Sequence, residues 1–414
     1  MPDTVTAAAR AVVTGISAVA AAGTTAASFW QGVRQGRNAL GPLTRFDADG
    51  FPVRVAGQVP MADPVPGVDA RLVIQTDRWS QFALLAAEEA LRDASLRPGE
   101  FEAFDLGVIT ASSSGGNAFG QREIEALWSK GPRHVGPYQS IAWFYAATTG
   151  QLSIRHGMKG PCGVVVAEQA GGLDAIAQAR RAVLAGDAAV VLTGGTEAPL
   201  SPYALTCQTT SGRLSGSGDP DRAYLPFDAR ACGHVPGEGG ALLVLEADAA
   251  ARERGVDRPY GEIAGHGATF DPAPGTTSGT TALRRAVHLA LADAGIGPQD
   301  VDVVFADAAG TPELDRAEAE CLAEVFGTRG VPVTAPKAGY GRLYAGGAPL
   351  DVVTALLALR EQVVPPTGAR VTPAADHPID LVTQPRETPL RTALVIARGY
   401  GGFNSALVVR AVAA

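Results

Sequence analysis

Cysteine is scarce in this chain: four thiols, Cys162, Cys207, Cys232 and Cys321, stand far apart among 414 residues. None forms a CxxC pair, and none has a metal-ligating partner at the usual spacing. A disulfide-stapled secreted module and a structural metal site are therefore excluded, and reduced thiols in a cytoplasmic protein are expected. Charge is also thin, at 18% of residues, and the net charge of −8 comes without clusters of Lys or Arg. Such clusters hold a phosphate backbone, so nucleic acid is not an expected partner. The pairs Arg180, Arg181 and Arg284, Arg285 offer a landing place for an acidic carrier protein, but on helices they read as solvated faces. No apolar run reaches membrane-spanning length. The opening RAVVTGISAVAAAG ends in alanines as a signal peptide does. Thr14, Gly15 and Ser17 interrupt its apolar run and Asp3 spoils a basic leader, so it reads as a first strand and loop.

What the chain does have is apolar content of 46%, with 50 glycines and 29 prolines spread along its length, the composition of a compact α/β protein. It also repeats itself. FALLAAEEALRDASLRPGEFEAFDLGVITA reads as helix, turn and strand, and LRRAVHLALADAGIGPQDVDVVFADA follows the same plan about two hundred residues later, with Leu91–Ala94 answered by Leu291–Ala294. A second echo links AGGLDAIAQARRAVLAG with AGGAPLDVVTALLALREQ, both small at the start and apolar at i, i+3, i+4 and i+7. Two βαβ-containing halves are expected, residues 1–248 and 249–414. The strand-like runs AVVTGI, LGVITA, GVVVAE, AAVVLTGG, GALLVLE, VDVVFAD, VPVTAP, RTALVIA and SALVVR alternate with helices, as parallel sheets covered on both faces require. The loop-rich stretch 207–240 reads as a packed excursion, because Tyr224, Leu225 and Phe227 call for burial.

VVAEQAGGLD, at 165–174, reads as a strand turning sharply into a helix, a place where enzymes seat a nucleophile beside a helix N-terminus. The residue in that seat is Gln169, an amide. The order of motifs around it resembles the β-ketoacyl synthases, condensing enzymes of the thiolase fold. The segments VVTGISAVAAAG, PFDARACGHVPGEGGALLVLE, DAAGTPELD, PKAGYGRLYAGG and GYGGFNSALVV carry the resemblance over essentially the whole chain. It implies an α/β fold of duplicated halves in an α/β/α/β/α arrangement. It also implies a cysteine and two histidines, for acyl transfer and for stabilising the enolate left by decarboxylation. The matching positions hold Gln169, Asp307 and Arg342. No catalytic residue and no metal site is therefore expected, and Asp307 is expected to pair with Arg342, with Lys337 retained nearby. Cys162 reads as a small packing residue at a strand entrance, and His156 and His234 as structural loop histidines. His266 and His288 fall in a strand and a helix, and His134 and His377 in surface loops.

Within that family, VAEQAGGLDA with SIAWFYAATTGQLSIRHGMKGP resembles the chain-length factor, or ketosynthase β subunit, of bacterial type II polyketide synthases. The resemblance implies a heterodimer with an active ketosynthase α subunit and a tunnel at the shared interface that sets polyketide chain length in the biosynthesis of aromatic antibiotics. It further implies no cofactor bound by this chain, with substrates carried on the phosphopantetheine of an acyl carrier protein that docks mainly on the partner. The family's gating positions fall on NAFGQREIEAL at Asn117, Gly120 and Ile124, with Phe119 beside them. The bare Gly120 and the modest Ile124 predict a long tunnel. The plainer reading makes Phe119 and Ile124 core and Asn117 a helix cap. Two enzymes stand as alternatives: a malonyl-carrier-protein decarboxylase that primes synthesis using Gln169, and a self-sufficient condensing enzyme using Cys162. Asp307 and Arg342 disfavour the first, since decarboxylation needs the missing imidazoles.

Overall fold

The computed structural model describes residues 9–271 and 279–412. One mixed sheet of eleven strands organises them. From one edge to the other it runs Asp380–Leu381, Pro332–Thr334, Val303–Phe305, Thr392–Arg398, Phe403–Arg410, Gly261–Phe270, Ala11–Ile16, Gly239–Ala247, Val190–Glu197, Leu106–Ala111 and Cys162–Val165. Pairing is parallel toward both edges and antiparallel through the middle, so the expectation of parallel sheets holds only for the flanks. All nine strand-like runs form strands. The nine runs did not include the short Asp380–Leu381 or the long Gly261–Phe270; the strand expected around His266 is part of the latter, whose glycines argue against a strand by propensity.

The glycines in that long strand have a packing reason. A Cβ on Gly265 would stand 2.3 Å from the Ala290 carbonyl oxygen, and one on Gly267 would stand 2.2 Å from that of Ala286. Helix Gly279–Asp293 thus lies directly on the strand. The first half repeats the arrangement: a Cβ on Gly15 would stand 2.2 Å from the carbonyl oxygen of Ala90, in helix Arg78–Asp93. Asp93 accepts from the backbone N–H of Ile16 at 2.9 Å, and Asp293 accepts from that of His266 at 2.9 Å. The repeated Leu-x-Asp-Ala motif is therefore a helix-to-strand clamp used twice.

Two further helices, Glu168–Ala185 and Gly347–Glu361, lie between the two wings of the sheet, each packing on strands from both wings. With the clamped helices outside, the layers run α/β/α/β/α, the thiolase-like fold. Gly347–Glu361 is buried from Gly347 to Leu359, which explains its near-continuous apolar sequence. The two inner helices touch where a Cβ on Gly172 would stand 2.5 Å from Pro349. Stretch 207–240 packs as expected, with Tyr224, Leu225 and Phe227 buried and the Tyr224 hydroxyl donating to the Ala308 carbonyl at 2.6 Å. Three placements differ from expectation. His156 is the last residue of helix Ala147–His156 rather than part of a loop. His377 is buried, its ring edge-on to Phe227, and Cys162 is exposed because its strand is the outermost of the sheet rather than an inner one.

Candidate functional site

The turn at the end of Cys162–Val165 is strained where a nucleophile elbow would be. Glu168 takes φ 51°, a left-handed conformation that non-glycine residues seldom adopt, and helix Glu168–Ala185 starts from it. Glu168 is held there by accepting from the backbone N–H of Tyr400 at 2.7 Å, and burial raises its carboxyl above the ordinary range. Ala170, Gly171 and Gly172 keep the first helical turn small, so Gln169 sinks beneath it rather than projecting outward. It is buried; its Nε2 donates to Asp307 Oδ1 at 2.9 Å, and its Oε1 finds no partner.

Asp307 and Arg342 pair as expected, with Arg342 Nη2 3.0 Å from Oδ1 and Nη1 3.2 Å from Oδ2. Oδ1 accepts a third time from the Arg398 backbone N–H at 2.8 Å, while Arg342 also donates to the Arg398 carbonyl at 2.6 Å. Burial alone would raise the Asp307 carboxyl, but Arg342, Lys337 and Arg398 outweigh it and hold the group below its usual value. Burial works against the charge of Arg342 as well, and Asp307 reverses that effect. Lys337 sits behind the pair, donating to the Ala306 carbonyl at 2.8 Å and ion-paired with Asp351 at 2.6 Å. Where a condensing enzyme needs a thiolate and two neutral imidazoles, this site has a saturated ion pair and an amide bonded to it. The three positions therefore carry no thiol and no imidazole.

Other titratable groups surround the lock. His234 is buried and pushed down to about 3, by burial first and by Arg342 second, so its imidazole is neutral; it faces the Tyr344 hydroxyl at 3.5 Å. Glu197 is pushed up to about 8 by burial, against the opposing hydrogen bonds from Ser113. Asp77, raised to about 6 by burial, accepts from Trp79 N–H at 3.3 Å and from Phe119 N–H at 2.7 Å, so one carboxyl ties the starts of two helices together. Among the described residues no cluster of His, Cys, Asp and Glu could hold a metal ion, and no helix is long and apolar enough to cross a membrane.

A cavity of about 710 Å³ opens over this region, with Glu168, Glu197, His234, Asp307 and Arg342 in its wall. Gln169 is not among its lining residues. The cavity reaches helix Asn117–Lys130 at Asn117, which is the first helical residue and not the cap; its side-chain amide donates to Ser114 at 2.6 Å. Phe119 is buried core, as the plainer reading had it, whereas Ile124 is 44% exposed. The open space expected at Gly120 is filled, because a Cβ there would stand 2.6 Å from the Trp143 ring. The sequence reading missed Trp143, Glu197, Asp77 and the Arg398 backbone. Only Trp143 carries a usable signal, as part of the aromatic run WFY in an otherwise small-residue segment.

Comparison with known proteins places the chain firmly. The family model described as "Beta-ketoacyl synthase, N-terminal domain" matches residues 8–251, and that for the C-terminal domain matches 260–369. The tetracenomycin polyketide synthase ketoacyl synthase beta subunit of Streptomyces glaucescens is 57% identical, over 96% of this chain and 98% of its own length. Among solved structures, the ishigamide ketosynthase/chain length factor aligns over 98% of this chain and 100% of its own, at 25% identity and a TM-score of 0.90. A type II PKS acyl-carrier protein in complex with its ketosynthase, bound to the hexaketide, aligns over 98% of this chain and 100% of that one, at 27% identity and a TM-score of 0.87.

Proposed function

Because the chain belongs to the β-ketoacyl synthase family, and within it to the ketoacyl synthase β subunits of polyketide synthases, we propose that it is a non-condensing partner subunit that sets chain length. The observation that carries this reading is the Gln169–Asp307–Arg342 lock, which closes the seat of the nucleophile. The active cysteine comes from a ketosynthase α subunit, and the substrates arrive there on the phosphopantetheine of an acyl carrier protein, in the cytoplasm. This chain supplies half the wall of the tunnel that shields the reactive polyketone from water.

The surface supports such a partner. Cys162–Val165 pairs on one side only, and Val166 just after it and Ile154, on helix Ala147–His156 that packs on this strand, are both exposed. Exposed apolar side chains beside an open strand edge are a liability that a permanent partner removes. The test is co-expression with a ketosynthase α subunit. A stable one-to-one complex, with product length following this chain when partners are exchanged, is the expected result; a stable monomer and product length that follows the α subunit would sink the reading.

The decarboxylase alternative has less to work with. Gln169 has one amide hydrogen committed to Asp307 and does not face the cavity. Carbon dioxide release from malonyl carrier protein by the purified chain, lost on Gln169→Ala, would favour it.

A further inference from the structure

The sequence predicts an open space at Gly120, but the structure fills it from another segment. The Ser-Ser-Gly-Gly turn before helix Asn117–Lys130 is built to receive the short stretch around Trp143. A Cβ on Gly115 would stand 2.1 Å from the Trp143 carbonyl oxygen, and one on Gly116 would stand 2.2 Å from that of Ala142. The Gly116 N–H donates to the Trp143 carbonyl at 3.1 Å, which fixes the backbone of that residue against the helix start. The indole then lies on Gly120, with its Cδ1 2.6 Å and its Nε1 3.3 Å from where a Cβ would be. Yet Trp143 is not core: it lines the cavity beside Asn117 and Tyr203 and remains 45% exposed.

We propose that Trp143, seated on Gly120, is the residue that stops the growing poly-β-ketone, so that the glycine marks a place for an aromatic plug rather than an opening. The inference rests on the length-setting reading above and names the side chain that does it. The physical case is steric. An indole is a flat, rigid body with only two rotatable bonds, and its rotation is limited here on one side by the helix and at its root by the Gly116 hydrogen bond. A plug must resist displacement by a flexible chain, and a side chain anchored at its backbone and resting on a helix does so better than a long aliphatic one. The apolar ring has no donor or acceptor for β-ketone carbonyls except its single N–H, so it can block a chain without promoting its cyclisation.

The experiment expresses the complex of this chain with an active ketosynthase α subunit and carrier protein, and measures the mass of the polyketides released. Trp143→Ala is expected to lengthen the product by at least one two-carbon unit. Trp143→Phe should stay near the parent length, and Gly120→Phe combined with Trp143→Ala should bring the length back by refilling the space from the helix. A Trp143→Ala complex that assembles and makes the parent length overturns the proposal. Loss of assembly in all three variants also overturns it, since Trp143 is then an interface residue and nothing more. Ile124→Trp separates the two levels of the argument. If it shortens the product while Trp143→Ala changes nothing, the plug fails and the length-setting reading survives; if neither moves the product, both fail.

Discussion

Each oxygen of Asp307 is spoken for, and that makes the residue a poor one to change. Asp307→Asn would leave Arg342 as a buried cation without a counter-charge, a loss on the order of 3–5 kcal/mol, visible as a lower urea midpoint. Asp307→Asn with Arg342→Met should recover most of it, because the uncompensated charge goes too. Glu197 makes a different prediction. Its folded value of about 8 lies above the ordinary 4.5, so the folded state binds the extra proton throughout that interval. Stability from this group therefore falls as pH rises from 4.5 to 8, by up to about 5 kcal/mol. Glu197→Gln should flatten that slope and raise the melting temperature most at pH 8; an unchanged pH profile would show that the carboxyl is ionised and compensated. Gln169, Asp307 and Arg342 were legible in the sequence because motif order fixes their positions. The proton on Glu197 and the burial of His377 were not, since both depend on what packs around them from distant segments.

Among elements, the clearest feature is the clamp that occurs twice. Gly15→Ala and Gly265→Ala meet the same obstacle, a helix carbonyl at 2.2 and 2.3 Å, so both should destabilise, each by roughly 1–3 kcal/mol and by similar amounts. Thermal melts of the two variants check this, and a large asymmetry would mean that one half can shift its helix and the other cannot. The sequence showed the repeat through Asp93 and Asp293 and a strand at His266, but not the full length of Gly261–Phe270. The glycines that weaken its strand propensity are the ones that let helix Gly279–Asp293 approach. Gly120 has a neighbour that the sequence did not reveal either, the ring of Trp143. A missing side chain shows only that something comes close, and the sequence does not say whether it is solvent, backbone or the ring of Trp143.

At the scale of the whole molecule, the apolar side chains beside the open strand edge predict that assembly and folding can be separated. Val166 is 46% exposed, so Val166→Lys should change the folding free energy of this chain by no more than about 1 kcal/mol while abolishing the complex in sedimentation. A complex that forms normally would place the partner elsewhere.

The lock described at Gln169, Asp307 and Arg342 also constrains which substitutions the site tolerates. Gln169→Cys alone would restore a thiol but leave the acid and the guanidinium where imidazoles are needed. Asp307→His alone would set an imidazole against an unpaired arginine, and Arg342→His alone would strand a buried carboxylate. Either histidine exchange made alone leaves one buried charge without its partner. The ion pair works as a ratchet: its two members can be exchanged together without stranding a charge, but not one at a time.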